Sequence, residues 1–291
     1  MNRRTFLKRA AVGAAAASLA AAGYGLAEAS AVRVTRYTVA VPRLPSSFAG
    51  LTVALAADLH HGPLNGLTFI RSVVSELNEL NADLIALSGD FIENADTAYV
   101  RPCFEALSAL RAPLGVFAAL GNHDHWPGPR WVHAAIREFG LTDLTNAGRW
   151  LERGGGRLRL GGVDDLWNGK QDLAAALGDT APDETCVLLS HNPDYAETLT
   201  DRRVGLVLSG HLHGGQINVP WVAPQVPSRY GKKYLYGLVR APHTQAFVTR
   251  GVGVVSLPFR VRARPEVNLL TLTPPGQPAA AAGPCAARRV G

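Results

Sequence analysis

Cysteine is scarce in this chain, with three residues in 291. Three thiols cannot build the disulfide framework of a small secreted domain. Cys103 and Cys186 sit in apolar contexts and read as buried free thiols, and Cys285 falls near the end. Internal repeats are absent, which excludes a solenoid or propeller. No linker interrupts the roughly 245 residues between the Ala-rich N-terminal stretch and the Pro/Ala-rich tail from Pro274, a length sufficient for one large core. A basic excess is missing from the body as well. The formal charge is +6, but Arg3, Arg4, Lys8, Arg9, Arg288 and Arg289 are six of the 29 basic residues, and only Glu28 of the 23 acids accompanies them at the ends. The middle therefore carries 23 basic against 22 acidic groups. That balance lacks the electrostatic footprint of a general nucleic-acid binder, so no nucleic acid is expected as a general partner.

What is present at the start is Asn2-Arg-Arg-Thr-Phe-Leu-Lys8, followed by an Ala-rich stretch over residues 10–27. A basic start, a short apolar centre and small residues at the cut mark a twin-arginine export signal. Ala27-Glu-Ala29 and Ala29-Ser-Ala31 both fit a cleavage site, so the mature chain is expected to begin at Ser30 or Val32. The alternative is an uncleaved anchor, for which the stretch is barely long and apolar enough. The expected organisation is a signal over 1–31, one domain over 32–273, and a tail over 274–291 too poor in bulky apolar residues to order. The export machinery is an expected partner, with membrane contact if the signal is kept. The expected location is the periplasm, the cell wall or the outer side of the inner membrane. Folding before export in a reducing compartment further disfavours a structural disulfide.

Short apolar runs over 51–56, 82–87, 115–120, 186–189 and 204–208 suit strands buried on both faces. Leu67, Ile70, Val73, Val74, Leu77 and Leu80 form a stripe at helical spacing. Residues 97–111 and 130–139 read as helices, with Pro102 in a first turn. Alternating strands and helices predict right-handed crossovers and a largely parallel sheet. The ligand site of such a sheet gathers beyond the strand C-termini. From about Trp150 the runs become shorter and Gly-punctuated, and 158–163, 246–257 and 267–272 are expected to build a second sheet.

Polar groups collect where these runs end. Five of the nine histidines, His60, His123, His191, His211 and His213, sit there. Asp58 and His60 are two apart and in a continuing strand would point the same way to clamp one cation. Asp90 follows Gly89 after a strand; alone it reads as a helix cap, and beside the other motifs as a shared ligand. In Gly121-Asn-His-Asp124, Asn122 offers a neutral oxygen and His123 an imidazole whose ring Asp124 could orient. His211 and His213 would share one face of an extended segment, and His191 in Ser190-His-Asn-Pro-Asp194 joins the set. His61, His125, Trp126 and Trp131 flank the motifs, as mouth or as packing. His133 and His243 read as structural, and Arg229, Tyr230, Lys232 and Lys233 as a solvated loop, with a site for a second phosphate or sugar as the alternative.

The segments Asp-Leu-His-His-Gly at 58–62, Gly-Asn-His-Asp at 121–124, Ser-His-Asn-Pro-Asp at 190–194 and Ser-Gly-His-Leu-His-Gly-Gly-Gln-Ile at 209–217 resemble those of the calcineurin-like metallophosphoesterase superfamily, in particular its exported YkuE-like branch. Residues 262–267 resemble that branch's closing strand. The resemblance implies an α/β fold, a four-layer αββα sandwich with two mixed β-sheets. It implies Asp58, His60 and His213 on one metal, Asn122, His191 and His211 on the other, and Asp90 bridging. His123 would face the substrate phosphate, with Asp124 behind it. Many relatives carry Asp three residues after the bridging Asp, where this chain has Glu93. The absence of Tyr there argues against the purple acid phosphatases.

The expected activity is thus a binuclear-metal-dependent phosphoesterase, a phosphodiesterase first, hydrolysing phosphate esters with a hydroxide that bridges the metals. Two cations about 3.5–4 Å apart can hold both reacting oxygens of an in-line displacement. The mixed carboxylate, amide and imidazole donors suit two divalent ions among Mn, Zn and Fe. The alternatives are a pyrophosphatase of the UDP-diacylglucosamine type and, from a different class, a metal-binding scaffold without chemistry.

Overall fold

The structure is a computed structural model and describes residues 2–276 apart from Pro220 and Ala223. Cys285 and most of the expected tail lie outside the described residues. In chain order the elements are α1 (Arg3–Ala29), β1 (Arg33–Ala40), β2 (Thr52–Ala56), α2 (Leu67–Glu79), β3 (Leu84–Ser88), α3 (Val100–Leu107), β4 (Val116–Ala119), α4 (Pro129–Glu138), β5 (Thr142–Asp143), β6 (Ala147–Arg153), β7 (Gly156–Gly162), α5 (Leu173–Leu177), β8 (Cys186–Leu189), α6 (Tyr195–Thr198), β9 (Val204–Ser209), β10 (Gly237–Arg240), β11 (Gln245–Val248) and β12 (Glu266–Thr273). Pro102 sits in the first turn of α3, where its missing N–H would have no intrahelical partner.

Two six-stranded sheets form, ordered β1-β12-β2-β3-β4-β5 and β10-β11-β9-β8-β7-β6. Both are mixed: β2 to β5 run parallel and β12 antiparallel to β2, while β7, β8, β9 and β11 run parallel between antiparallel edges. Strand periodicity explains the layering. Val53, Leu55, Leu84 and Ala86 point between the sheets, where they meet Leu206, Leu208 and Phe247. Their neighbours Ala54, Ile85 and Leu87 face outward under Ile70, Val73 and Leu77 of α2. Leu188, Val207 and Val248 face the other side, under Ala176 and Leu177 of α5 and Ala196 of α6. The result is the expected αββα sandwich.

One expectation is corrected. Residues 267–272 do not enter the second sheet; β12 lies in the first, between β1 and β2. Val267 packs under the helices while Leu270 and Leu272 point between the sheets. A strand apolar on both faces fits the middle of either sheet, so its pattern alone does not choose.

Helix α1 has 27 residues and is long and apolar enough to cross a membrane by length and composition. Its last turns dock on the body. The Gly25 carbonyl accepts from Arg260 N at 3.1 Å, and the buried Glu28 carboxylate accepts from Ala263 N at 2.7 Å.

Candidate metal centre

The C-terminal ends of β2, β3, β4, β8 and β9 converge on one edge of the sandwich and deliver seven polar side chains to it. Two hydroxyls fix that edge: Ser88 Oγ donates across to the second sheet at Leu208 O at 2.8 Å, and within that sheet Ser209 Oγ donates to Ser190 O at 2.6 Å. Gly89 and Gly121 allow the ends of β3 and β4 to touch. A Cβ on Gly121 would lie 2.3 Å from Asp90 Oδ1, and one on Gly89 would lie 2.5 Å from Gly121 N.

The strands stop before the donors, which overturns the expectation of extended D-x-H and H-x-H segments. Asp58, His60, Asp90, His211 and His213 have φ of 57°, 47°, 56°, 75° and 50°. These are left-handed conformations that side chains with a Cβ rarely adopt. The turns bring each pair to the centre by curling the backbone around it rather than by same-face projection. Such strain concentrates at functional sites.

Two groups result. Asp58, His60 and His213 form one, with His60 Nε2 3.1 Å from His213 Nε2 and His213 Nε2 3.4 Å from Asp58 Oδ1. Asp90, His191 and His211 form the other, with His191 Nε2 3.1 Å from Asp90 Oδ2. Asp90 Oδ2 also lies 3.5 Å from His60 Nε2, so it stands between the two. His123 comes within reach of His60 and Asp90 as a third grouping.

The donor set fits cations. His191 Nδ1 faces Ser88 O at 2.7 Å and donates to it, which leaves the Nε2 lone pair aimed at a carboxylate. A proton or a metal ion must lie between them, and in the protein alone Asp90 pulls the His191 pKa up to about 10 against the effect of burial. Asn122 Oδ1 is buried with no hydrogen-bond partner, a position that a cation would satisfy. His211 Nε2 meets Pro227 O at 3.2 Å, which leaves Nδ1 for a ligand. Burial holds His60 and His211 neutral, with pKa values lowered to about 3, and it raises Asp58 to about 7. Burial would raise Asp90 too, but His191, His60 and His123 outweigh it and hold the carboxyl well below its usual range.

Asp124 does not stand behind His123. Its carboxylate accepts from the backbone N–H groups of Gly121, Asp90, Phe91 and Ile92 at 2.8 to 3.2 Å, so it fastens the two turns to each other. The His123 ring is held instead by Glu93 O, 2.7 Å from Nδ1. An isolated motif could not distinguish these partners, because three of the four N–H groups come from a loop 32 to 34 residues earlier in sequence.

Several groups around the site escape sequence reasoning. Arg260 is wholly buried and donates to the carbonyls of Arg250, Ala263 and His213, with Nη2 3.3 Å from His213 Nδ1. Burial lowers its pKa to about 10. Trp167 lies against His211, and Asn168 Nδ2 donates to Asn122 O. Both follow β7, so the rule that strand C-termini collect ligands could have found them. The loop at Arg229 is tied to the His191 turn: Ser228 Oγ and Arg229 N donate to Asp194. His61 packs on Tyr99, His133 pairs with Asp143 at 2.6 Å, and Trp131 stacks with Arg130 on α4.

Residues 51–215 match the family model described as calcineurin-like phosphoesterase. The chain is 34% identical over 279 residues to metallophosphoesterase YkuE of Bacillus subtilis, spanning 94% of this chain and 98% of that protein. It is 31% identical to phosphodiesterase YaeI of Escherichia coli over 76% of this chain and 81% of that one. It is also 26% identical to UDP-2,3-diacylglucosamine pyrophosphatase LpxG of Chlamydia trachomatis, over 67% and 73%.

Proposed function

The chain belongs to the calcineurin-like phosphoesterase family and is a phosphoester hydrolase, and on that premise we propose that it is a two-metal phosphodiesterase. The observation that carries the reading is Asp90, whose carboxylate stands between two buried donor groups, each with a cluster of lone pairs turned inward. In this reading Asp58, His60 and His213 hold one divalent ion, Asn122, His191 and His211 the other, and Asp90 is shared. The donors favour Mn, Zn or Fe. Bound there, two cations supply a nucleophile at neutral pH and neutralise charge on the phosphoryl oxygens.

The protein's own share is positioning and proton transfer. His123 donates Nδ1–H to Glu93 O, which fixes the ring and leaves Nε2 for the substrate. In this reading it acts as the general acid, handing a proton from Nε2 to the departing ester oxygen. Arg260 and Asp124 touch neither reactant; they hold His213 and Asp90 in place.

Similarity to phosphodiesterase YaeI supports a diester substrate, and similarity to LpxG supports a second reading, cleavage of the pyrophosphate in a nucleotide-linked lipid. The test is hydrolysis of bis(p-nitrophenyl) phosphate by protein stripped of metal and reloaded with Mn or Zn, beside Asp90→Asn. Metal-dependent turnover, with the variant losing turnover and at least one metal by elemental analysis, is expected. A variant that keeps both metals would refute the shared role of Asp90. A fully loaded wild type that is inert on the diester but active on the nucleotide-linked lipid would establish the second reading.

We propose that the protein is exported by the twin-arginine route to the outer side of the inner membrane, because Arg3 and Arg4 open an apolar helix. Substitution of both by Lys should leave it in the cytoplasmic fraction; continued export would exclude that route.

A further inference from the structure

Two tryptophans stand half exposed at the rim of the centre. Trp126 is 49% and Trp167 47% exposed, although an indole is among the larger apolar surfaces a protein can leave in water. Each lies against a different imidazole of the site. The Trp126 ring is tilted over His123 with centroids 3.8 Å apart, and Trp167 meets His211 edge to face at 4.4 Å.

The turns that carry them are clipped together. His125 Nε2 meets Asp164 Oδ1 at 2.9 Å, and Asn168 Nδ2 donates to Asn122 O at 3.0 Å. The turn at 164–168 is also braced from within, since Asp165 Oδ2 accepts from Trp167 N and Asn168 N at 2.7 and 2.8 Å. Both indoles are therefore half exposed on braced backbone at one rim, rather than swinging on free loops. Such pre-set apolar faces bind without a large ordering cost.

Several polar atoms of these turns are already committed. Asp164 takes His125 and the N–H groups of Asp165 and Lys170, and the Asn168 amide nitrogen is given to Asn122. Fewer groups are left there to read the hydroxyls of a sugar, whereas the indole faces suit a flat ring. We propose that Trp126 and Trp167 form an aromatic clamp beside the metal centre that selects phosphoesters bearing a flat aromatic group, an aryl ring or a nucleobase, on the ester oxygen. This rests on the proposed two-metal site as the seat of the phosphoryl group. Because Trp126 covers His123, the ring it holds belongs to the departing alcohol.

The test uses phenylphosphonate and cyclohexylphosphonate, whose P–C bonds resist hydrolysis and whose rings match in size but not in flatness. Calorimetric titration of metal-loaded protein should show phenylphosphonate binding about two- to tenfold tighter, the range of aromatic pairing beyond area burial. The ratio should fall to near one in Trp126→Ala with Trp167→Ala, fall part way in each single variant, and survive in the Phe variants, which keep a ring. A wild-type ratio near one would overturn the clamp. So would an unchanged ratio in either Ala variant with an unchanged melting temperature. The ratio does not depend on turnover, so a protein with the aromatic preference but no diesterase activity would refute the proposed reaction and leave the clamp standing.

Discussion

The carboxylate of Asp124 accepts the backbone N–H of Asp90 at 2.9 Å, and with the same two oxygens it takes three more N–H groups. A buried donor left without a partner costs about 1–3 kcal/mol. Asp124→Ala should therefore destabilise the protein by at least about 3 kcal/mol in urea unfolding and weaken metal binding through the Asp90 turn. If Asp124 merely oriented His123, the same variant would lose turnover at unchanged stability.

His123→Ala removes the proposed proton donor and none of the seven ligands. Both metals should stay by elemental analysis, with kcat reduced about 10²- to 10⁴-fold. The deficit should shrink on esters whose alcohol is acidic enough to leave without a proton. Unchanged turnover on a poor leaving group would end its assignment.

His125 and Asp164 give a dependence on pH outside the ligand set. The Asp164 hydrogen bond raises the His125 pKa, and although burial opposes it, the His125 bond lowers that of Asp164. The raised histidine contributes stability that is complete below its unfolded value near 6.5 and disappears as pH rises through its folded value. The lowered carboxyl contributes above about pH 4 and loses this as pH falls through its folded value. The pair should thus count most between about pH 4 and 6.5. Melting temperatures of the wild type and His125→Gln should differ most in that window and converge at alkaline pH. A constant difference would exclude the charge of the pair as the cause.

A protein beginning at Val32 loses the Glu28 carboxylate at Ala263 and the Gly25 carbonyl at Arg260. At about 1 kcal/mol per hydrogen bond, its melting temperature should fall by about 5 °C relative to one beginning at Tyr24. Equal melting would make the end of α1 a passenger on the body.

The sandwich and its site were legible in the sequence to different depths. The near-continuous apolar runs 51–56 and 82–87 foretold strands with two buried faces, and the histidines beyond such runs foretold the centre, because parallel strands all present their C-termini to one edge. The sheet that receives β12 was not legible, since its pattern satisfies either. Nor were the left-handed turns at Asp58 and His213: side-chain spacing describes an extended chain, while the backbone curls to let carboxylate and imidazole converge. Arg260 stayed hidden because its partners are main-chain carbonyls, which leave no mark in composition.

Those turns decide how the centre could be re-engineered for another metal. At Asp58, His60, Asp90, His211 and His213 a new donor must suit the ion and also accept a positive φ, a penalty of about 1–2 kcal/mol for most side chains and less for Asn or Asp. Asn122 has φ of −66° and His191 is not left-handed. A designer seeking to alter ion preference has two positions where Cys, Glu or Gln could be tried on chemical merit alone. Both are in the group around His211, so the two halves of the centre are unequally open to redesign.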